Sequence, residues 1–352
     1  EMRAVRVHHF GSPEVLSVEN GVVLPPLNSG EVLVRVIYSG VNPVETYIRE
    51  GQYSKLPELP YTPGSDAAGY IEALGPNIPH EDSDLCVGER VFVTGRNSGS
   101  YAEFIITESV YVFKLHQRLS LAQGAALGVP YFTAYKALIM GAKARPGEKV
   151  LIHGASGAVG TAAVQIARAL GVVVVGTAGT KDGMDVVSAC GAHHVFNHNH
   201  KSYEKKMIHH IGGDGFDVII EHLANINLGH DLQMLKEGAR IMVVGCRGSV
   251  EINPRYLMLL EASVKGVSLG ISSPSEWREI GAAIVAGIES GWVNPVINKV
   301  YLMDQVQNVH YDIIHSKGAK GKLVLKVADD FEEQQEIHVQ ELQNGMMHHR
   351  IE

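Results

Sequence analysis

Residues 149–171 read Lys149-Val-Leu-Ile-His-Gly154-Ala-Ser-Gly157-Ala-Val-Gly160-Thr-Ala-Ala-Val-Gln-Ile-Ala-Arg-Ala-Leu170-Gly171. Val150, Leu151 and Ile152 make the short aliphatic run of a buried parallel strand. Glycines follow at three-residue spacing. Val159, Ala163, Ile166 and Leu170 then recur at helical spacing, and Gly171 stops the helix. Strand, glycine turn and helix together open a dinucleotide-binding unit. Gly154 permits the tight turn, Gly157 lets the backbone approach a pyrophosphate at the helix N-terminus, and Gly160 lets helix and strand pack closely. The spacing departs from the usual G-x-G-x-x-G, because both Ala155 and Ser156 separate the first two glycines.

Downstream of this stretch strands and helices alternate, which implies an α/β unit with a parallel sheet. Strands are expected at Val150–Ile152, Val172–Gly176, His194–Phe196, Asp217–Ile220, Arg240–Val244 and Val264–Leu269. Helices are expected between them, for example Asp182–Cys190 and Leu228–Leu235, and a further one at Ser275–Glu289. Six strands suit a complete doubly wound Rossmann sheet. Upstream, short strands at Arg3–Val7, Val32–Tyr38, Tyr70–Leu74, Arg90–Val93, Tyr101–Ile106 and Val110–Lys114 are punctuated by glycine and proline, as in a compact β-rich barrel. Ser120–Gly128 and Tyr131–Gly141 read as helices separated by Pro130. Residues 296–327 return to β-rich character and are expected to complete the first domain. The expected division is a β-rich catalytic domain over 1–124 completed by 293–327, a Rossmann domain over 125–292, and a polar tail over 328–352 whose composition predicts disorder.

The chain has 352 residues, enough for two domains, and a net charge of −8, which argues against a general binder of nucleic acid or acidic membranes. Cys86, Cys190 and Cys246 are far apart and form no C-x-x-C pair, which fits a reducing, cytoplasmic setting. No apolar run is long enough to span a bilayer, so no membrane partner is expected.

Six stretches carry a resemblance: Gly40-Val-Asn-Pro-Val-Glu-Thr-Tyr-Ile-Arg49, Leu59-Pro-Tyr-Thr-Pro-Gly-Ser-Asp66, Val129-Pro-Tyr-Phe-Thr-Ala-Tyr135, His153-Gly-Ala-Ser-Gly157, Gly176-Thr-Ala-Gly-Thr180 and Glu251-Ile-Asn-Pro-Arg255. With the domain order, they resemble the medium-chain dehydrogenase/reductase superfamily, and within it the zeta-crystallin family of NADPH:quinone oxidoreductases, over about residues 2–327. The resemblance implies a GroES-like catalytic barrel beside the Rossmann domain, and NADPH as cofactor. Zinc-dependent members of the superfamily hold their metal with a cysteine, a His-Glu pair and a further cysteine or aspartate. Here Asn42, Ser65 and Asp66 stand at the first three of those positions, and no cysteine cluster exists, so no metal is expected. His193-His194 and His198-Asn-His200 lack partners spaced to complete a metal site.

The residues after the second expected strand, Thr177-Ala-Gly-Thr-Lys181-Asp182, put no acid at the strand end. Small residues and Lys181 suit a 2′-phosphate rather than a free ribose hydroxyl; a solvated surface lysine is the other reading of Lys181. Asp182 lies beyond the turn, where it would cap the next helix. By resemblance, cofactor contacts also fall on Tyr47, Ser156, Gly157, Ala158, Val159, Gly179, His198, Asn227, Val244, Gly245, Cys246, Arg247, Val267, Ser268 and Leu269. Arg247 would suit phosphate geometry.

The expected reaction is hydride transfer to a small quinone, with stacking surface and a hydrogen-bond donor near a carbonyl oxygen. Asn42 and Tyr47 are the candidate donors, and Tyr53 a candidate aromatic wall; a turn residue before Pro43 and packing tyrosines are the structural readings of the same side chains. No nucleophile–base pair stands out. An NADPH-dependent 2-alkenal or enone reductase is the competing enzyme reading. The resemblance also implies a structural crystallin role, binding to AU-rich RNA as a secondary activity, and a homodimer or homotetramer paired through Val264–Leu269.

Overall fold

Glycines and prolines cut the first 120 residues into short extended runs, and the computed structural model of the chain, which describes residues 1–95 and 99–330, contains seven strands there. They are β1 (Met2–Val7), β2 (Leu16–Val22), β3 (Glu31–Val41), β4 (Asp66–Leu74), β5 (Arg90–Val93), β6 (Phe104–Glu108) and β7 (Val112–Lys114). Val110 and Tyr111 fall in a 3-10 turn over Ser109–Tyr111 rather than in the strand expected to begin at Val110. Between β3 and β4 lies helix α1 (Pro43–Arg49), with Pro43 in the first turn. Two short helices follow the strands. In α2 (Leu121–Gly124), Ser120 and Gln123 close a reciprocal cap. In α3 (Gly128–Tyr135), Pro130 occupies the first turn. No intrahelical donor is needed there, so Pro130 lies inside the helix instead of separating two helices.

The second half alternates as its sequence requires: β8 (Lys149–Ile152), α4 (Ala158–Leu170), β9 (Val173–Ala178), α5 (Lys181–Ala189), β10 (His194–Asn197), α6 (Tyr203–His210), β11 (Phe216–Glu221), α7 (Ala224–Asp231), β12 (Leu235–Val243), α8 (Arg255–Leu260), β13 (Ser263–Gly266) and α9 (Pro274–Ser290). The six strands form one parallel sheet in the order β10-β9-β8-β11-β12-β13. The order reverses beside β8, which creates the crevice where such sheets bind ligands. Several expected boundaries move: β9 runs on to Ala178, two residues past the expected Gly176, and α7 begins at Ala224 rather than Leu228. Leu235 opens a strand rather than closing a helix, with Gly238 at φ +70° in its irregular first half. The last strand stops at Gly266, because β12, its neighbour among the described residues, ends opposite it at Val243; Leu269–Ile271 is a 3-10 turn.

The chain then returns to the first sheet through β14 (Ile297–Leu302), α10 (Val306–His315) and β15 (Lys322–Lys326). β15 runs antiparallel to β3, with Leu323 opposite Val41 and Lys326 opposite Tyr38, so the path becomes β14-β15-β3-β4-β5-β7 with β6 also on β3. Residues 328–330 of the expected tail are packed: Ala328 N donates to Ile37 O, and Asp330 is buried and accepts the Tyr70 hydroxyl. The rest of the expected tail, residues 331–352, lies outside the described residues, as do residues 96–98.

An aromatic cluster joins the two halves. Trp277 of α9 packs against Phe132 of α3 and edge-on to Tyr111, with ring centroids 5.3 Å apart in each pair, and Phe92 and Phe113 extend the cluster. Arg278, the next residue, donates two hydrogen bonds of 3.0 Å to the buried carboxylate of Asp82 in the barrel domain. Apolar burial and one bidentate ion pair thus fix the cleft between the halves.

Candidate functional site

The glycine turn has the geometry its residues imply. Gly154 adopts φ +53°. A Cβ on Gly160 would fall 2.5 Å from Gly154 O and 2.6 Å from Ala155 Cα, so only a hydrogen fits. Gly157 is the N-cap of α4 and offers no side-chain acceptor, which leaves first-turn N–H groups for an external anion. Ser156, Gly157, Ala158 and Val159 are gathered here. The returning chain crosses the same turn: Gly321 N donates to Ser156 O at 2.6 Å.

Adjacent parallel strands bring the next pair together. β9 ends at Ala178 and β10 at Asn197, which sets Gly179 beside His198; a Cβ on Gly179 would lie 2.8 Å from His198 Nε2. Thr180, not Asp182, caps α5 by accepting the Gly183 N–H at 3.1 Å. A hydroxyl directly before the helix reaches the orphan donor, whereas Asp182 is already inside the first turn and pairs with Lys320 at 3.3 Å. The Lys181 ammonium is exposed and bends along the helix to Asp185 at 2.5 Å, an exposed pair of little energetic weight. The loop 316–321 packs on this corner, since a Cβ on Gly318 would meet Thr180 Cγ2 at 2.7 Å. It carries Lys317 and Lys320, which sequence reasoning missed. The signal was the lysine–glycine alternation of Ser316-Lys-Gly-Ala-Lys-Gly-Lys322.

The remaining cofactor candidates also follow the ends of parallel strands. Asn227 lies in α7 and donates to Glu221 Oε1 at 3.1 Å. Val244 and Gly245 follow β12. Cys246 and Arg247 are exposed beyond them, the Cys246 thiol donating to Gly248 O at 2.9 Å and the Arg247 N–H to Asn225 Oδ1 at 2.8 Å. Val267, Ser268 and Leu269 follow β13.

The three candidates for the acceptor side behave differently from one another. Tyr47 is half-buried on α1, and Tyr53 is 45 % exposed just beyond it. Asn42 is buried, and its amide is fully engaged: Nδ2 donates to Glu45 Oε1 at 3.2 Å and to Asp66 Oδ2 at 2.9 Å, while Oδ1 accepts from the Lys322 ammonium. With both N–H bonds committed, Asn42 has none left for a carbonyl oxygen, and its work is to hold this network. Glu45 also accepts from Ser65 N at 3.1 Å and Tyr101 Oη at 2.6 Å. Burial pushes its carboxyl upward, against those donors. Asp66 accepts from Thr94 Oγ1 at 2.9 Å, Val129 N at 3.0 Å and Lys322 Nζ at 3.1 Å. At the far end, His310 bonds Tyr101 and Arg49, each at 3.1 Å. Burial, helped by the Arg49 guanidinium, pulls the imidazole down to about 3, so it is neutral. A fixed ammonium, Lys322, thus stands between Asn42 and Asp66, two of the positions that carry metal ligands in zinc-dependent relatives. Sequence reasoning missed Glu45, Tyr101, His310 and Lys322, which lie far apart in the chain.

Comparison with known proteins agrees with this architecture. Residues 28–117 match the alcohol dehydrogenase GroES-like domain family and residues 158–286 the zinc-binding dehydrogenase family. The chain is 51 % identical to the quinone oxidoreductase of Homo sapiens over 324 residues, covering 92 % of this chain and 97 % of the human protein. It is 52 % identical to the quinone oxidoreductase of Rattus norvegicus over the same span and with the same coverage. Among solved structures, a mycobacterial protein in complex with NADPH superposes with a TM-score of 0.81 at 26 % identity, covering 93 % of this chain and 100 % of the other. Among the described residues no helix is long and apolar enough to cross a membrane.

Proposed function

Because the chain belongs to the quinone oxidoreductase (zeta-crystallin) family of the medium-chain dehydrogenase/reductase superfamily, and is an oxidoreductase, we propose that it reduces small quinones, ortho-quinones among them, with NADPH and without zinc. The observation that carries the cofactor choice is the corner at the end of β9. It has no carboxylate at the strand end, and three lysines, Lys181, Lys317 and Lys320, belong to the two segments that meet there. Cations in that place favour a 2′-phosphate, whereas an acid would favour a free ribose.

Bound NADPH supplies the hydride; the protein orients it and shapes the pocket. The uncapped turn at Gly157 holds the pyrophosphate, with Ser156, Ala158 and Val159 beside it. Gly179 lets the chain pack closely against His198, which borders the adenosine end, and Asn227 with Val244 and Gly245 lines the middle of the cleft. On the acceptor side the Tyr47 hydroxyl is the hydrogen-bond donor, and Tyr53 offers an aromatic face at the mouth. Asn42, Glu45, Asp66 and Lys322 keep α1 and its Tyr47 in place. Lys322 gives this network its own fixed cation. The chain also pairs with itself through the outer edge of β13, beside which α8 exposes Met258 and Leu259.

The test is NADPH oxidation with 9,10-phenanthrenequinone and 1,2-naphthoquinone, run beside NADH and beside a 2-alkenal. Rapid turnover of the ortho-quinones that prefers NADPH is the expected result. Faster turnover of the alkenal, or equal use of NADH, overturns the corresponding part of the reading. Sedimentation at micromolar concentration tests self-association, and a sharp monomer boundary refutes it.

A further inference from the structure

One buried group of titratable side chains is left unused by that reaction. His153 follows β8 directly before Gly154, Glu221 ends β11, and Asp231 ends α7. Glu221 and Asp231 are closed to solvent and His153 nearly so. His153 Nε2 lies 2.7 Å from Asp231 Oδ1 and 3.6 Å from Glu221 Oε2. Glu221 Oε2 and Asp231 Oδ2 are buried acceptors without a donor among the described residues. Two carboxylates so close to one imidazole cannot all be satisfied by the hydrogens the side chains carry when both acids are ionised. A proton held between the carboxyls would supply the missing donor. Burial, the largest cause in each case, pushes Glu221 and Asp231 up to about 7 and pulls His153 down, while the charge of His153 opposes the rise at Glu221.

The surroundings add charge of both kinds. From α6, Glu204 raises Asp231 further and sits 3.2 Å from His230, and Tyr203 lies beside it. His198, after β10, and His222, after β11, are both held down by burial and by His153. The cluster is also one step from the cleft. His153 adjoins the glycine turn. Glu221 Oε1 holds the Asn227 amide, and the Glu221 carbonyl accepts from Val244 N at 2.8 Å and Gly245 N at 3.2 Å.

We propose that His153, Glu221 and Asp231 form a proton-holding cluster that couples dinucleotide binding to uptake of a proton. The inference rests on the NADPH reading above and goes beyond it. The phosphates of the dinucleotide bring negative charge to the turn that follows His153. Negative charge there raises the proton affinity of the cluster, and by linkage the protonated cluster binds the dinucleotide more tightly. The three residues are positioning residues, acting through Asn227 and the turn rather than on the reacting atoms.

The experiment is calorimetric titration of the full chain with NADPH between pH 7 and 8.5, in two buffers of different ionisation heat, with cofactor fluorescence as a second readout of Kd. The 2′-phosphate titrates below that window. The expected result is net proton uptake on binding, with Kd rising toward tenfold per pH unit where uptake approaches one proton. Glu221→Gln and Asp231→Asn, which keep the side-chain shapes, remove the uptake and flatten the profile. Binding with no proton uptake by the unaltered chain overturns the inference while leaving the NADPH reading standing. Failure to bind NADPH at all overturns both. A stoichiometric metal found by elemental analysis and lost in Glu221→Gln also overturns it, because a cation rather than a proton would then balance the carboxylates.

Discussion

Replacing Lys322 with methionine tests the buried network directly. The Lys322 ammonium lies 3.1 Å from Asp66 Oδ2, with the two side chains 2 % and 0 % exposed. At that separation the gross attraction is about 5 kcal/mol at an effective dielectric near 20, and most of it offsets the desolvation of the two charges. Methionine keeps the volume but leaves the Asp66 carboxylate buried and uncompensated, a change that costs about 3–5 kcal/mol. Asp66 retains its bonds from Asn42, Thr94 and Val129, so the loss falls at the lower end, about 3 kcal/mol. Adding Asp66→Asn removes the orphan charge, and the double variant recovers to within about 1 kcal/mol of the unaltered chain. Reversible urea unfolding of the four proteins measures the cycle. The Lys322→Met variant also raises KM for NADPH, because Gly321, its neighbour, is bonded to the glycine turn. A single variant that loses less than about 1 kcal/mol, or a double variant in which the two losses simply add, refutes the assignment of Lys322 as the cation that balances Asp66.

Three further outcomes follow from the same geometry. The imidazole of His310 is held near 3, below the usual value of about 6.5, so its neutral form contributes stability above pH 6.5 that is lost as pH falls. Glu221 and Asp231, raised to about 7, act in the opposite sense, contributing stability at low pH that is lost as pH rises through 7. The stability difference between the unaltered chain and His310→Gln therefore shrinks by about 1.4 kcal/mol per unit as pH falls from 6.5 to 5, and a constant difference in urea midpoints across that range refutes it. Gly160→Ala forces its methyl into Gly154 O and Ala155 Cα and costs about 1–3 kcal/mol; NADPH affinity falls with it, as fluorescence titration would register. Lys320→Glu lowers the ratio of kcat/KM for NADPH over NADH by about tenfold or more, a loss of roughly 1.4 kcal/mol or more; an unchanged ratio excludes Lys320 from the phosphate corner.

The parts of the fold set by local periodicity were legible in the sequence. The aliphatic run before Gly154, the three glycines and the helical spacing after them account for β8, its turn and α4 in place. The domain order and the return to the barrel were equally readable. Boundaries moved where tertiary pairing overrode local preference: β13 stops where β12 gives it no more backbone to bond, and Pro130 lies in a helix because it falls in the first turn. The Asn42 reading failed for a similar reason. A polar residue before proline looks available from sequence, but its amide hydrogens are claimed by Glu45 and by Asp66, whose position three residues and twenty-four residues away says nothing of contact. Lys322 was invisible because a lysine at the start of an apolar strand ordinarily points to water. The Lys317 and Lys320 corner was hidden because it forms only when the returning loop folds over α5.

The pairing of β3 with β15 closes a loop of almost the whole chain: Val41 meets Leu323 and Tyr38 meets Lys326. During synthesis the barrel residues emerge first, and β4 and β6 can pair with β3 at once, yet its Tyr38–Val41 stretch keeps one edge open until the Rossmann unit and the final turn have followed. Parallel αβ units made of neighbouring segments can close as they emerge, whereas this edge must wait. The last strand to arrive also brings in Lys322 and lays Gly321 across the glycine turn. Completion of the barrel and maturation of the cofactor cleft are thereby the same folding event, so a chain cut short before β15 loses both together.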